Sequence, residues 1–168
     1  MAKVEIKITG IDDVLASLKA LPPEIVSKRG GPVKSALRKA AQVIRKQAIA
    51  NLDSVTKNVS VDGELYSTGL LKQNVVVTRG KQPIGTKGER YLVRVKRKTY
   101  PNKSGKGQAV TTLKTAQLLE YGARVSGRQM AEPWIRPAAI AKAQEAINTA
   151  TRELVNEINK VKKKLGFK

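Results

Sequence analysis

Hydrophobic and polar positions change period several times along this chain, and each change predicts an element. Val4, Ile6 and Ile8 alternate with Glu5, Lys7 and Thr9, a period of two that predicts a half-buried strand. Gly10 breaks the alternation. Asp12 or Asp13 then caps a short helix bearing Val14, Leu15, Leu18 and Leu21, and Pro22-Pro23 stops it. Gly30-Gly31-Pro32 predicts a turn, with Pro32 at the first position of a longer helix. On that helix Leu37, Ala41, Ile44, Ala48 and Leu52 form one apolar stripe, and Lys34, Arg38, Lys39, Arg45 and Lys46 lie largely off it.

Residues 53–62 are polar and turn-rich and predict a loop. Ser67-Thr68-Gly69-Leu70-Leu71 reads as a turn or the start of an element. Val75–Thr78 and the alternating Tyr91, Val93 and Val95 predict two strands joined by a Gly-rich connection, a hairpin. Pro101, Gly105, Gly107 and their lysines make 99–108 a basic loop. A short helix from Thr112 to Tyr121 ends at Gly122, a C-cap, and a second loop follows at 124–129. The last helix is predicted from Pro137. On it Ile140, Ile147, Leu154, Ile158, Val161 and Leu165 form a narrow, nearly heptad seam that docks on the helix's own domain or on a coiled-coil partner; four heptads favour the former. Residues 160–168 are a basic tail suited to a helix C-terminus. These elements predict an α+β fold: a small, mainly antiparallel sheet packed by two longer helices, with a long basic loop.

Length and composition narrow the picture. A chain of 168 residues suits a single domain, 1–168, and a domain of that size buries roughly 70% of its unfolded surface. Aromatics are only 4% of residues, so the core is expected to be aliphatic. The chain has no Cys and no His. It therefore has no disulfide, no thiolate metal site, no cysteine nucleophile and no imidazole base. Its N-terminus lacks an apolar signal core, and no apolar run approaches the roughly 20 residues that span a bilayer. A soluble, unprocessed chain made in the cytoplasm is expected, with no membrane partner.

Charge adds direction. Lys and Arg number 33 against 13 Asp and Glu, a net charge of +20. From Lys72 to Lys114 there are 12 Lys or Arg and one acid, Glu89, so the positive field centres on the middle of the chain. Such a region meets phosphates without reading sequence, or serves as a solvated face that keeps the chain soluble. No DNA-reading motif is present, and the few aromatics do not cluster as a single-strand platform would require. Enzyme signals are poor. Asp12-Asp13 sits where a cap is expected, Glu120 and Glu132 are isolated, and the Gly-rich stretches lack phosphate-loop spacing. No catalytic site, metal or cofactor is expected.

Three pieces together carry a resemblance. They are Gly10-Ile11-Asp12-Asp13-Val14-Leu15 after a strand, Ser67-Thr68-Gly69-Leu70-Leu71, and Gln117-Leu118-Leu119-Glu120-Tyr121-Gly122 followed by Ala131-Glu132-Pro133-Trp134-Ile135-Arg136-Pro137-Ala138. The chain resembles, nearly end to end, the tail-component family of long-tailed phages typified by gene product ten of a lambdoid siphophage. It departs from the family pattern in carrying Gly122-Ala123 after the Glu-aromatic pair and in its basic insertion around 97–106.

The resemblance implies a non-enzymatic virion protein of the neck, joining head to tail or completing the tail. It implies a ring of six or twelve copies around the DNA path, with head-closure and tail-terminator or tail-tube proteins as partners. The motif residues Glu120, Tyr121, Gly122, Pro133, Trp134, Ile135, Arg136 and Pro137 are then interface or structural positions. Arg94, Lys96, Arg97, Lys98, Lys103 and Lys106 would face DNA. Trp134 and Ile135, between Pro133 and Pro137, form a rigid apolar knuckle that pins the last helix or plugs a neighbouring subunit, and Glu120 is placed to pair with Arg136. The alternative is a monomeric basic protein that binds nucleic acid without sequence preference.

Overall fold

A computed structural model of the protein describes residues 31–57, 60–61, 64–65, 69–81, 89–101, 110–122 and 131–164. The strand expected at 4–9, the helix expected after Asp12 and the loop at 124–129 lie outside these residues. So does most of the basic loop, including Lys103 and Lys106. In chain order the described elements are α1 (Pro32–Lys57), β1 (Ser60–Val61), β2 (Glu64–Leu65), α2 (Leu70–Gln73), β3 (Val75–Arg79), β4 (Tyr91–Val95), α3 (Thr112–Tyr121) and α4 (Ile135–Lys164).

Helix α1 begins at Pro32, which has no N–H to leave without a partner, and the Ser35 N–H closes the first turn on the Gly31 carbonyl at 3.1 Å. It does not stop at Asp53 as the polar composition suggests but runs on to Lys57. The polar side chains there suit a helix: Asp53 meets Lys72 at 2.6 Å, and the Ser54 and Thr56 hydroxyls donate to the Ala50 and Leu52 carbonyls one turn back. Part of the remaining stretch to 62 is also paired, since β1 and β2 run antiparallel with Ser60 opposite Leu65 and Val61 opposite Glu64.

β3 and β4 form the expected hairpin. The Lys96 N–H donates to the Asn74 carbonyl at one end and the Gly80 N–H to the Arg90 carbonyl at the other, each at 2.8 Å, so the strands are antiparallel. Extended pairing continues past β4. Thr99 bridges Thr111, and the Tyr100 N–H donates to the Val110 carbonyl at 2.9 Å. Thr99 and Tyr100, expected in the basic loop, are thus part of its paired base. The architecture is α+β: a small antiparallel sheet with the long helices α1 and α4 packed against it.

The chain gathers into two compact units, one drawing on residues up to 43, 79–92 and from 142 onward, the other on 44–78 and 93–141. The second unit has a continuous apolar core of Ala48, Leu52, Leu71, Val75, Ala116, Leu119, Trp134 and Ala138, rimmed by Ile49, Val55, Val93, Val95 and Ile135. It is aliphatic apart from Trp134. The α1 stripe reaches it through Ala48 and Leu52, and α2 contributes Leu71. Gly69, with φ +67, starts α2 from the left-handed region, where a side chain would be strained. The first unit buries small residues of α1 (Ala36, Ala40, Ala41) and Ala146 and Ile158 of α4. Its charges pair: Arg79 clasps Glu89 in a two-pronged bond with both contacts at 2.8 Å, and Lys39 meets Glu153.

Helix α4 departs from its predicted seam at its start, while farther along Ile158 of that seam is buried and Ile147, Leu154 and Val161 are half-buried. It starts at Ile135 rather than Pro137, and Ile140 is 63% exposed. The buried row near its start is Trp134 and Ala138 instead. Once Trp134 is seated in the core, Ala138 lies one turn on, and Ile140 is rotated away from Ala138 by about 200°.

Candidate functional site: a capped helix start and a basic strip

The Glu-aromatic-Gly and Pro-Trp motifs meet in the second unit. Ten residues, Thr112–Tyr121, form α3, which Gly122 ends at φ +75 with its N–H on the Leu118 carbonyl. This places Glu120 in the last turn, facing inward and 3% exposed. Helix α4 has no acid in its own first turn. Glu120 supplies one. Its Oε2 accepts the Trp134 and Ile135 N–H groups at 2.9 and 3.0 Å, and its Oε1 accepts the Arg136 N–H at 3.2 Å.

A helix start leaves four N–H groups without intrahelical partners. Here Glu120 takes three, and the fourth position is Pro137, which has none. The carboxylate also lies at the positive end of the α4 dipole. Arg136 folds back, its Nε on Oε1 at 2.7 Å and its Nη2 on the Glu120 carbonyl at 3.1 Å. Burial alone would push the Glu120 carboxyl up, but the backbone N–H groups of Ile135 and Trp134 and the Arg136 guanidinium more than offset it. The group sits below the usual carboxylate range.

Trp134 is 1% exposed. Its ring N–H donates to the Ala116 carbonyl at 3.4 Å, and its carbonyl accepts the Asn51 amide at 3.0 Å. Trp134 is therefore seated in the chain's own core. The Glu132 N–H donates to the Leu119 carbonyl at 2.8 Å, aligning the approach to α4. Tyr121 points the other way, 65% exposed, with the Arg136 guanidinium 4.9 Å from its ring centre. Pro133, Arg136 and Pro137 are exposed and Ile135 is half-buried.

A second cluster lies at the other end of α3. Arg94, Lys96, Arg97 and Lys98 are all exposed, and no carboxylate pairs with them among the described residues. The backbone of Lys96 and Lys98 is held by Thr112, which is fully buried. Its hydroxyl donates to the Lys96 carbonyl at 2.6 Å and accepts the Lys98 N–H at 2.9 Å, and its own N–H donates to the Lys98 carbonyl at 2.8 Å. Sequence reading places Thr112 only as the start of a helix; no local signal marks it as the bolt that carries the strand past its end. Asn51 was missed for the same reason, since its partner lies 83 positions away.

Among the described residues no three acidic side chains gather where a cation could sit, and no helix is long and apolar enough to cross a membrane. The chain matches no curated protein and no solved structure. The model of one family, described as "Bacteriophage HK97-gp10, putative tail-component", does match, over residues 12–122. The match takes in the Thr-Gly-Leu-Leu turn, the basic strip and Glu120-Tyr121-Gly122, and ends before the Pro-Trp segment. A match over so much of the chain, taking in the acid that caps α4, shows that this protein belongs to that family of phage tail components.

Proposed function

We propose that the protein is a structural subunit of the virion neck, joining head to tail or completing the tail. It works without catalysis, as one member of a ring of six or twelve copies around the DNA path. Family membership carries this reading. Two features support it. The Glu120 clamp fixes the junction of α3 and α4 rigidly, as a subunit that works by shape requires. The strip at 94–98 offers cationic side chains suited to phosphates and belongs to no base-reading motif. Head-closure proteins on one side and tail-terminator or tail-tube proteins on the other are the expected neighbours. Lys103 and Lys106, in the same basic stretch of sequence, would join the strip in facing DNA. The whole chain acts as a single domain in this role.

The test is a phage lacking this gene product. Separate, filled heads and unjoined tails are expected, with the protein found at the joint of wild-type particles. Joined, infectious particles would sink the proposal. The exposed strip also favours a second reading, a monomeric protein that binds nucleic acid without sequence preference. It predicts saturable binding of single copies to DNA and no defect in head–tail joining.

A further inference from the structure

The structure describes seven acidic side chains, and six are already paired within the chain. Asp53 meets Lys72, Glu89 meets Arg79 and Lys34, Glu120 meets Arg136, Glu145 meets Lys142, Glu153 meets Lys39 and Glu157 meets Lys160. The seventh, Glu132, is exposed and in no ion pair with a described residue. A neighbouring copy therefore has one described carboxylate to offer.

The whole chain sharpens the point. With 33 Lys and Arg against 13 Asp and Glu, 20 cations per copy have no carboxylate from this chain or from any other copy of it. Adding copies leaves that ratio unchanged. Strips brought within about 8 Å, the screening length at physiological salt, repel. What neutralises the excess as a whole has to be a different molecule.

The form of the strip says which class. Arg94 lies in β4 and Lys96, Arg97 and Lys98 follow it directly; along an extended chain alternate side chains such as Arg94, Lys96 and Lys98 recur about every 6.6 Å on one face. That is a linear array, suited to a linear polyanion such as a nucleic-acid backbone. Both N–H groups and both carbonyls of Lys96 and Lys98 are engaged by Asn74 and Thr112. The strip is thus formed in advance, with its side chains left for a ligand.

We infer that assembly of this protein is gated by nucleic acid. Like charge holds copies apart until a phosphate backbone lies along Arg94, Lys96, Arg97 and Lys98, and neutralisation then lets them close up. The inference rests on the ring reading above and adds its trigger.

Sedimentation velocity of the full-length protein tests it, with and without a short DNA duplex, in about 0.1 M NaCl, where screening reaches about 10 Å. Monomers alone and multi-copy assemblies on duplex, whatever its sequence, are expected. A variant carrying Arg94→Ser, Lys96→Ser, Arg97→Ser and Lys98→Ser should melt like the wild type but bind duplex at least about tenfold more weakly. Its plot of log affinity against log salt should be flatter by about 3 to 4. Equal assembly without DNA overturns the inference and leaves the ring reading standing. Single copies that saturate DNA and never grow overturn the inference, and with normal head–tail joining in the phage lacking the protein they overturn the ring reading too. A variant that assembles on DNA as readily as the wild type removes the strip as the trigger.

Discussion

The two ends of α3 treat charge in opposite ways. At the C-terminal end Glu120 is buried, and its oxygens accept from three backbone N–H groups and a guanidinium. At the N-terminal end four cations stand exposed with no carboxylate partner among the described residues, while the backbone of Lys96 and Lys98 is held by the buried Thr112. The first arrangement contributes to stability, because a buried charge is tolerated only when it is fully matched. The second contributes little to stability and is open to a ligand, because exposed cations are screened by water and salt. The difference separates what holds this unit together from what it presents to other molecules.

Substitutions should follow that division. Trp134→Ala has the largest expected effect, a loss of about 3 to 5 kcal/mol, since it empties the centre of the core. At about 2 to 4 °C per kcal/mol for a chain this size, calorimetry would register it as a drop of many degrees. Glu120→Gln comes next. It removes the charge facing Arg136 and turns an amide donor toward backbone donors, a loss of about 1 to 3 kcal/mol in urea unfolding at neutral pH.

That loss should depend on pH with a definite sign. The Glu120 carboxyl lies below its ordinary value in the folded state, so its contribution is present above the unfolded value and fades as pH falls through the folded one. The gap between wild type and Glu120→Gln should therefore narrow in acid. A gap that widens on acidification would mean that the carboxylate is not matched as described.

Thr112→Val keeps the shape but strips the hydroxyl, leaving the Lys98 N–H and Lys96 carbonyl without it. A cost of about 1 to 3 kcal/mol is expected, with faster hydrogen exchange at Lys98 as the local readout. Arg94→Ser should have the smallest effect, within about 0.5 kcal/mol in thermal melts. A strip substitution that destabilises as much as Glu120→Gln would erase the contrast between the two ends of α3.

Much of the fold was legible locally. Pro32 marked the start of α1, alternation marked β4, and Gly122 ended α3 where a C-cap was expected. The pairing of Glu120 with Arg136 was suggested by the proximity of two motifs. The capping of α4 by that same carboxylate was not legible, because side chains that cap a helix ordinarily come from its own first residues. Ile140 misled for a related reason. A seam drawn through the largest apolar side chains ignores that a buried Trp134 sets the rotation of the helix and puts Ala138 inward.

The amino-acid sequence by itself determined the excess of cations and its concentration in the middle of the chain, because charge is counted and needs no geometry. It also determined most helix and strand positions, because period and punctuation act over a few residues. Only the tertiary structure decided which acid meets which helix end, which hydroxyl bolts the strip and which apolar residues face inward. Those choices join residues 14 to 83 positions apart, and such partners meet only once the chain has packed.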